Sequence, residues 1–133
     1  MSALLAALLS FLRTNSVLTT LAGVGFNVRV SEVWNLPSSV VYPILALNLE
    51  RKPDPVRGAP VSAYILRCWY ITNGSMSEAF RMRDALKNLL HLQAQSLTAA
   101  GVPLQWCELI ASKVNIAPDI NKHEAFLDFD LVS

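Results

Sequence analysis

The sequence predicts an α+β fold, an antiparallel β-sheet with two main helices packed on one face and a long hairpin loop. Leucines recur at helical spacing at the start of the chain, and a second apolar stripe of this period follows residue 76. Elsewhere, β-branched and aromatic residues alternate with the period of a strand, and prolines and glycines separate these segments. With a length of 133 residues, we expect residues 1–133 to form a single domain.

The first predicted element is an amphipathic helix from about Ser2 to Arg13. Its leucines lie on one stripe, and the alanines between them favour a helix. A second helical turn follows, which Asn15 or Ser16 can cap and which Gly23 ends. The opening apolar stretch is far shorter than the roughly 20 residues that cross a bilayer, so we expect neither a signal peptide nor a membrane partner.

Two strands are predicted next, over residues 27–34 and 40–50. Pro43 lacks the N–H that a sheet ladder requires, so we expect the second strand to lie at an edge or to carry a bulge near its start. Residues 51–60 contain three prolines and a glycine, and they form the predicted hairpin loop.

The strongest predicted strand spans residues 61–72, and both of its faces are mostly apolar. Helices of the same chain can cover one face, which leaves the other for a neighbouring subunit. The composition agrees, because 53% of the residues are hydrophobic and only 16% are charged, against about 25% in a typical domain. We therefore predict a homo-oligomer. The predicted subunit interface is the strand face made of Tyr64, Leu66, Cys68 and Tyr70.

The remaining predicted elements are a long helix over residues 76–93 and two strands over residues 104–114 and 124–132. Ser75 or Ser77 can cap the helix. Its single apolar stripe indicates that it packs on the sheet as part of the core and carries no site.

The sequence contains no constellation typical of an enzyme, a metal site or a cofactor site. Neither histidine has a ligand-spaced partner, and the glycines form no phosphate-binding pattern. Asp128 and Asp130 share one strand face, which we attribute to a solvent-facing or subunit-facing strand, not to paired catalytic carboxylates. Cys68 and Cys107 lie in apolar runs, which predicts buried, reduced thiols. We predict no catalytic residue, no metal and no cofactor.

One basic cluster, made of Arg51, Lys52 and Arg57, lies on the predicted hairpin loop. Two interpretations are open for it: a solvated hairpin tip, or an arm that docks on a neighbouring subunit or faces passing DNA. The cluster has no interleaved aromatic residues for base stacking. The net charge of +1 also gives no overall field that would attract nucleic acid.

Four segments that span nearly the whole chain occur together: the opening SALLAALLSFLRTN with SVLTTLAG, the strand LPSSVVYPILAL, the turn and helix NGSMSEAFRMRDALKNLL, and the closing strand HEAFLDFDL. With them the chain resembles the tail-terminator and tail-completion (head-tail joining) proteins of long-tailed bacteriophages. The resemblance implies a virion protein of the tail or neck, assembled in the host cytoplasm as a hexameric ring that caps the tail tube. The implied partners are the tail tube protein and the head-tail connector or neck protein, with DNA passing through the ring. The proline-rich loop, residues 51–60, matches no shared feature of that family.

Two other interpretations remain open at this point. The chain can be a neck or head-completion protein of the same virion, because the folds of these proteins are alike. It can also be a small oligomeric ligand-binding or regulatory α+β domain, because the order of elements permits one.

Overall fold

A computed structural model of the chain describes residues 2–23, 25–33, 41–53, 61–117 and 122–133. Within these residues the strands are β1 (Val30–Glu32), β2 (Ile44–Arg51), β3 (Ala63–Thr72), β4 (Trp106–Ala117) and β5 (Lys122–Val132). The helices are α1 (Ala3–Thr14), α2 (Ser16–Ala22), α3 (Met76–Leu90) and α4 (Ala94–Ala99), with a 3-10 helix at Phe26–Arg29. The strands form one sheet in the order β1-β2-β3-β5-β4. The predicted α+β class is confirmed.

Side-chain caps explain where α1 and α2 begin. Ser2 Oγ accepts a hydrogen bond from a first-turn N–H of α1 at 3.1 Å, and Asn15 Oδ1 accepts from the N–H groups of Val17 and Leu18. Gly23 ends α2 with a φ of 93°, which favours glycine. Both predicted helices are confirmed. No single helix in the described ranges is long and apolar enough to cross a bilayer, although α1 and α2 together would be, as a pair bent by 59°.

The predicted strand over residues 27–34 is mostly wrong, because its first part is the 3-10 helix and only β1 joins the sheet. The 3-10 helix turns Phe26 and Val30 into the core, where both are fully buried. Arg29 Nε donates to the carbonyl oxygen of Pro43 at 2.9 Å and fixes this turn against the start of β2. β1 runs parallel to β2. The sheet is therefore mixed, and the prediction of a wholly antiparallel sheet is wrong in this respect.

The predicted edge position or bulge of β2 is also wrong. β2 lies between β1 and β3 and pairs with β3 continuously from Ile44 to Arg51. Pro43 precedes the first paired residue, so its missing N–H removes no bond from the ladder. The antiparallel pairing of β2 with β3 confirms a hairpin whose connection includes residues 54–60, which lie outside the described residues.

The strands β3, β5 and β4 confirm the strands predicted over residues 61–72, 124–132 and 104–114. β3 pairs with β5 along its whole length. β4 pairs with β5 on both sides of a register shift between Leu109 and Ala111. This β-bulge inserts Ile110 as an extra residue. On the sheet face opposite the helices, the β4 residues are therefore even-numbered before the bulge and odd-numbered after it.

α3 begins where predicted and ends earlier. Ser75 Oγ accepts from a first-turn N–H at 3.3 Å. The helix stops at Leu90 because Leu92 adopts a φ of 56° and donates its N–H to the carbonyl oxygen of Cys107 at 2.7 Å. α4 follows and was not predicted, since Leu97 is its one buried residue and gives no periodic pattern.

The helices lie together on one face of the sheet, as predicted. Side chains from α1 to α4 and from a single face of the strands form one apolar cluster. The largest fully buried side chains are Phe26, Phe129, Leu8, Leu9, Leu12, Leu18, Leu45, Leu47, Leu66, Met82, Leu86 and Leu90. The core therefore occupies the space between this face and the helices, and the opposite face of the sheet carries no helix within the described residues.

Candidate functional site

The strand face predicted to be a subunit interface lies in the core. Leu66, Cys68 and Tyr70 are at most 2% exposed, and Tyr64 packs at the border of the same cluster. The rings of Tyr70 and Phe26 pack edge to face, with centroids 6.3 Å apart. The helices of the chain itself cover Leu66, Cys68 and Tyr70, so these three residues are core residues in this structure. For the half-buried Tyr64 a subunit contact stays a prediction.

The opposite face of the sheet, here called the open face, is therefore the candidate site. Its residues are Ile44, Ala46, Asn48 and Glu50 of β2, Ala63, Ile65, Arg67, Trp69 and Ile71 of β3, Glu124, Phe126, Asp128, Asp130 and Val132 of β5, and Trp106, Glu108, Ala111, Lys113 and Asn115 of β4. Five residues of this face are buried, namely Ile44, Ala46, Ala63, Ile71 and Glu124. Its other side chains are half-buried or exposed, so it offers a mixed apolar and charged surface to a partner.

An aromatic trough crosses the middle of the open face. Trp69 and Phe126 are register partners whose rings stack with centroids 6.0 Å apart and planes 10° apart. Lys113 Nζ lies 5.1 Å from the Phe126 ring centroid, within range of a cation–π interaction. The trough has a volume of about 450 Å³ and extends over Ala46 and Asn48 on β2. A cavity of this size admits an aromatic or aliphatic side chain.

A buried carboxylate fixes one wall of the trough. Glu124 is only 9% exposed, and its two oxygens accept from Trp69 Nε1 at 2.9 Å and from Asn115 Nδ2 at 3.0 Å. Buried polar groups are stable only when they are hydrogen-bonded, so this arrangement sets the orientation of the indole ring. The trough is thus a preformed feature of the chain.

An acidic band lies beside the trough. Glu50, Asp130 and Glu108 fall in one row across the sheet, and Asp128 lies in the next row. Asp130 bonds Lys52 Nζ at 3.1 Å. Arg67 lies 3.4 Å from Glu50 and 3.9 Å from Asp128. These partly exposed pairs stabilise the fold little. Among the described residues two cations, Lys52 and Arg67, pair with the four carboxylates of the band, which leaves it a negative balance there.

The basic cluster of the hairpin loop divides in the structure. Lys52 turns back onto Asp130. The guanidinium of Arg51 donates to Ser62 Oγ at 3.3 Å, across the base of the hairpin. Arg57 lies outside the described residues. The structure therefore brings Lys52 to the open face and does not join it to Arg51 in one patch.

The outer side of α3 is the second surface that could bind a partner. Phe80 is 39% exposed there, and the guanidinium carbon of Arg83 lies 4.9 Å from the centroid of its ring. Arg81 and Lys87 are exposed on the same helix. Asp84 bonds Arg83 at 2.9 Å. This side of α3 is therefore basic around one apolar side chain.

The outer edge of β4 is partly closed by the chain itself. The N–H of Leu109 donates to His91 Nδ1 at 2.9 Å, and Leu92 bonds the carbonyl oxygen of Cys107. The bulge at Ile110 and the charged Lys113 follow directly. Covered residues, bulges and lysines are the means by which proteins prevent strands from adding at an edge.

The two thiols are buried and unpaired, as predicted. Burial raises the pKa of Cys107 to about 12, and burial also raises the pKa of Cys68, with smaller contributions from Cys107 and Asp128. Such thiols are poor nucleophiles at neutral pH. Asp128 and Asp130 both lie on the open face and each faces a cation. Among the described residues no group of three His, Cys, Asp or Glu side chains could hold a metal ion.

No protein-family model matches the sequence, and no curated protein matches it. The fold is similar to that of a chain in the solved structure of the virion of a native gene transfer agent (GTA) particle. That similarity has a TM-score of 0.70 and 14% sequence identity, and it covers 99% of this chain and 98% of the other. The two chains therefore share a fold over their full lengths.

Proposed function

We propose that this chain is a structural protein of a phage-like virion, in which it forms a hexameric ring that caps the tail tube and joins it to the neck. One observation carries the proposal: the fold matches that of a virion chain over almost the whole of both chains. The sequence resemblance to tail-terminator proteins supports the more specific role in the tail. The protein then acts by binding other proteins, without a catalytic step or a cofactor.

The open face supports assembly as the mode of action. Its centre is a preformed trough in which the stacked pair Trp69 and Phe126 lies beside Asn48, Arg67, Lys113 and Asp128. Aromatic and arginine side chains are enriched in protein interfaces. Aromatic side chains in such centres carry a large share of binding energy. A ring made of these subunits has surface left to contact the tail tube protein and the connector or neck protein.

Assembly in solution and on tails tests the proposed function. Light scattering after size exclusion gives the mass of the purified chain, and electron microscopy gives its position on tails isolated from the particle that carries it. We expect a closed ring, either in solution or at the head-proximal end of the tail tube. A chain that stays monomeric, binds no tail and instead binds a small molecule would contradict the proposal.

The position on the particle separates the tail role from a neck role. Gold-labelled chain on isolated tails without heads should mark the tube end if the protein is a terminator. Label that appears only on isolated heads would assign the chain to head completion, and the tail-capping role would then be wrong.

A further inference from the structure

We infer that neighbouring copies of this chain bind head to tail, with the outer side of α3 of one copy seated on the open face of the next. Phe80 enters the aromatic trough, and the basic side chains around it face the acidic band. This inference rests on the proposed function and names the contact that builds the ring.

The two surfaces lie on opposite sides of the molecule. α3 buries Ala79, Met82 and Leu86 against the covered face of the sheet, so its outer side points away from the sheet. The open face looks in the other direction. Two different surfaces on opposite sides give a heterologous contact, which continues from copy to copy and closes into a ring when the rotation per copy permits.

The charges of the two layers are complementary. α3 carries Arg81, Arg83 and Lys87 against Glu78 and Asp84, and Arg83 pairs with Asp84. The acidic band carries four carboxylates, and its two paired cations leave a negative balance. Opposite charges on facing surfaces steer association and set its register. The positive balance of α3 on a second copy of the chain therefore complements the negative balance of the acidic band on the open face.

The apolar parts of the two surfaces also match. Phe80 is the exposed aromatic side chain of α3, and the trough of about 450 Å³ already contains the stacked pair Trp69 and Phe126. A third ring at the usual centroid distance of about 4.5–7 Å extends this stack. Arg83 lies 4.9 Å from the Phe80 ring, so in the inferred contact it is carried to the open face together with Phe80.

Two other ways to cover the open face fit the structure less well. Two open faces packed on each other would form an isologous contact, which closes at the dimer and does not itself continue from copy to copy. Strand addition at β4 meets the covered residues, the bulge and Lys113 at that edge. Both alternatives are outcomes of the test below.

Charge reversal on each surface tests the inference. One variant carries Arg81→Glu and Lys87→Glu, and the other carries Glu50→Lys and Glu108→Lys. Each variant alone should assemble at least about tenfold more weakly than the wild type, as judged by the concentration at half-assembly. An equimolar mixture should assemble again, because every contact in an alternating ring then joins surfaces of opposite charge. Circular dichroism and thermal melts of both variants establish that they fold.

A substitution pair tests the apolar contact without a change of charge. Phe80→Ala should weaken assembly about tenfold or more, since a central aromatic side chain is lost from the contact. Val17→Ala, on the exposed side of α2, is the matched control and should leave assembly unchanged.

The outcomes separate the inference from the proposed function. If the wild type forms rings, and both charge-reversal variants and Phe80→Ala form them equally well, the inference is overturned and the proposed ring function stands. If the Glu50→Lys and Glu108→Lys variant loses the ring but the Arg81→Glu and Lys87→Glu variant keeps it, the open face binds another partner or a second open face. That result also overturns the inference. A wild type that never assembles, alone or on tails, would overturn both.

Discussion

Replacing Leu66 tests which face of β3 is the interior one. Leu66 is fully buried between the sheet and the helices, whereas its neighbour Ile65 lies half-buried on the open face. Leu66→Ala removes a leucine side chain from a packed core, which costs about 2–5 kcal/mol of unfolding free energy. For a domain of this length about 3–5 °C is lost per kcal/mol, so the melting temperature should fall by roughly 6–25 °C.

Ile65→Ala is the matched control for that substitution. It removes about the same volume from the open face, where part of the side chain is already in water, and should cost only about 1 kcal/mol. Thermal and urea unfolding of both variants, followed by circular dichroism below the concentration of assembly, measures the two losses. Equal losses, or a larger loss at Ile65, would refute the placement of the helices on the Leu66 side.

Three further predictions concern the cap of α2, the thiols and the buried carboxylate. Asn15→Ala should lower the unfolding free energy by about 1 kcal/mol in urea titrations, because two N–H groups lose their acceptor; no change would contradict the capping role. Cys68 and Cys107 should react with a thiol reagent at pH 8 only in denaturant, and fast reaction of the folded chain would contradict their burial. Trp69→Phe should cost about 1–3 kcal/mol, since Glu124 loses a donor, whereas a neutral result would show that Glu124 is solvated.

The raised pKa values also predict how stability depends on pH. The pKa of Cys107 rises from 9.0 to about 12 on folding, mainly through burial. The pKa of Tyr70 rises from 10.0 to about 12, mainly through burial, partly offset by a hydrogen bond with Thr72. The folded state holds these protons more tightly than the unfolded state, so their stabilising effect is complete below about pH 9 and is lost as the pH rises towards 12. Urea titrations across this range should show falling stability, and a flat profile would contradict the burial.

Strongly periodic segments could be predicted from the sequence. α3 combines a serine cap with a single apolar stripe, and β5 alternates between buried and half-buried residues from Ala125 onwards, so their local pattern and their packing agree. The segment at residues 27–34 alternates too, yet its first part is a 3-10 helix. Packing of Phe26 in the core and the bond from Arg29 to Pro43 overrode the local pattern there.

The orientation of β3 could not be predicted from apolar content, because both of its faces are apolar. One signal was available: Arg67 is the charged residue within this strand, and it lies on the face with Ile65 and Trp69. A charged side chain is seldom buried without a partner, so that face is the outer one. The surplus of apolar residues predicts a subunit contact but does not indicate which face would form it.

The acidic band and the trough depend on register, which the sequence does not reveal. Glu50, Glu108 and Asp130 come from three strands and meet in one row only because β2, β3, β5 and β4 pair as they do. The bulge at Ile110 shifts the parity of β4 and brings Lys113 beside Phe126. These relationships arise from tertiary structure and have no local signature.

Electron cryomicroscopy of the assembled wild-type chain tests the head-to-tail contact most directly. The map should show a closed ring in which α3 of each copy covers the open face of its neighbour and Phe80 touches Trp69. A ring whose sheets face solvent, or a face-to-face dimer of sheets, would contradict the account.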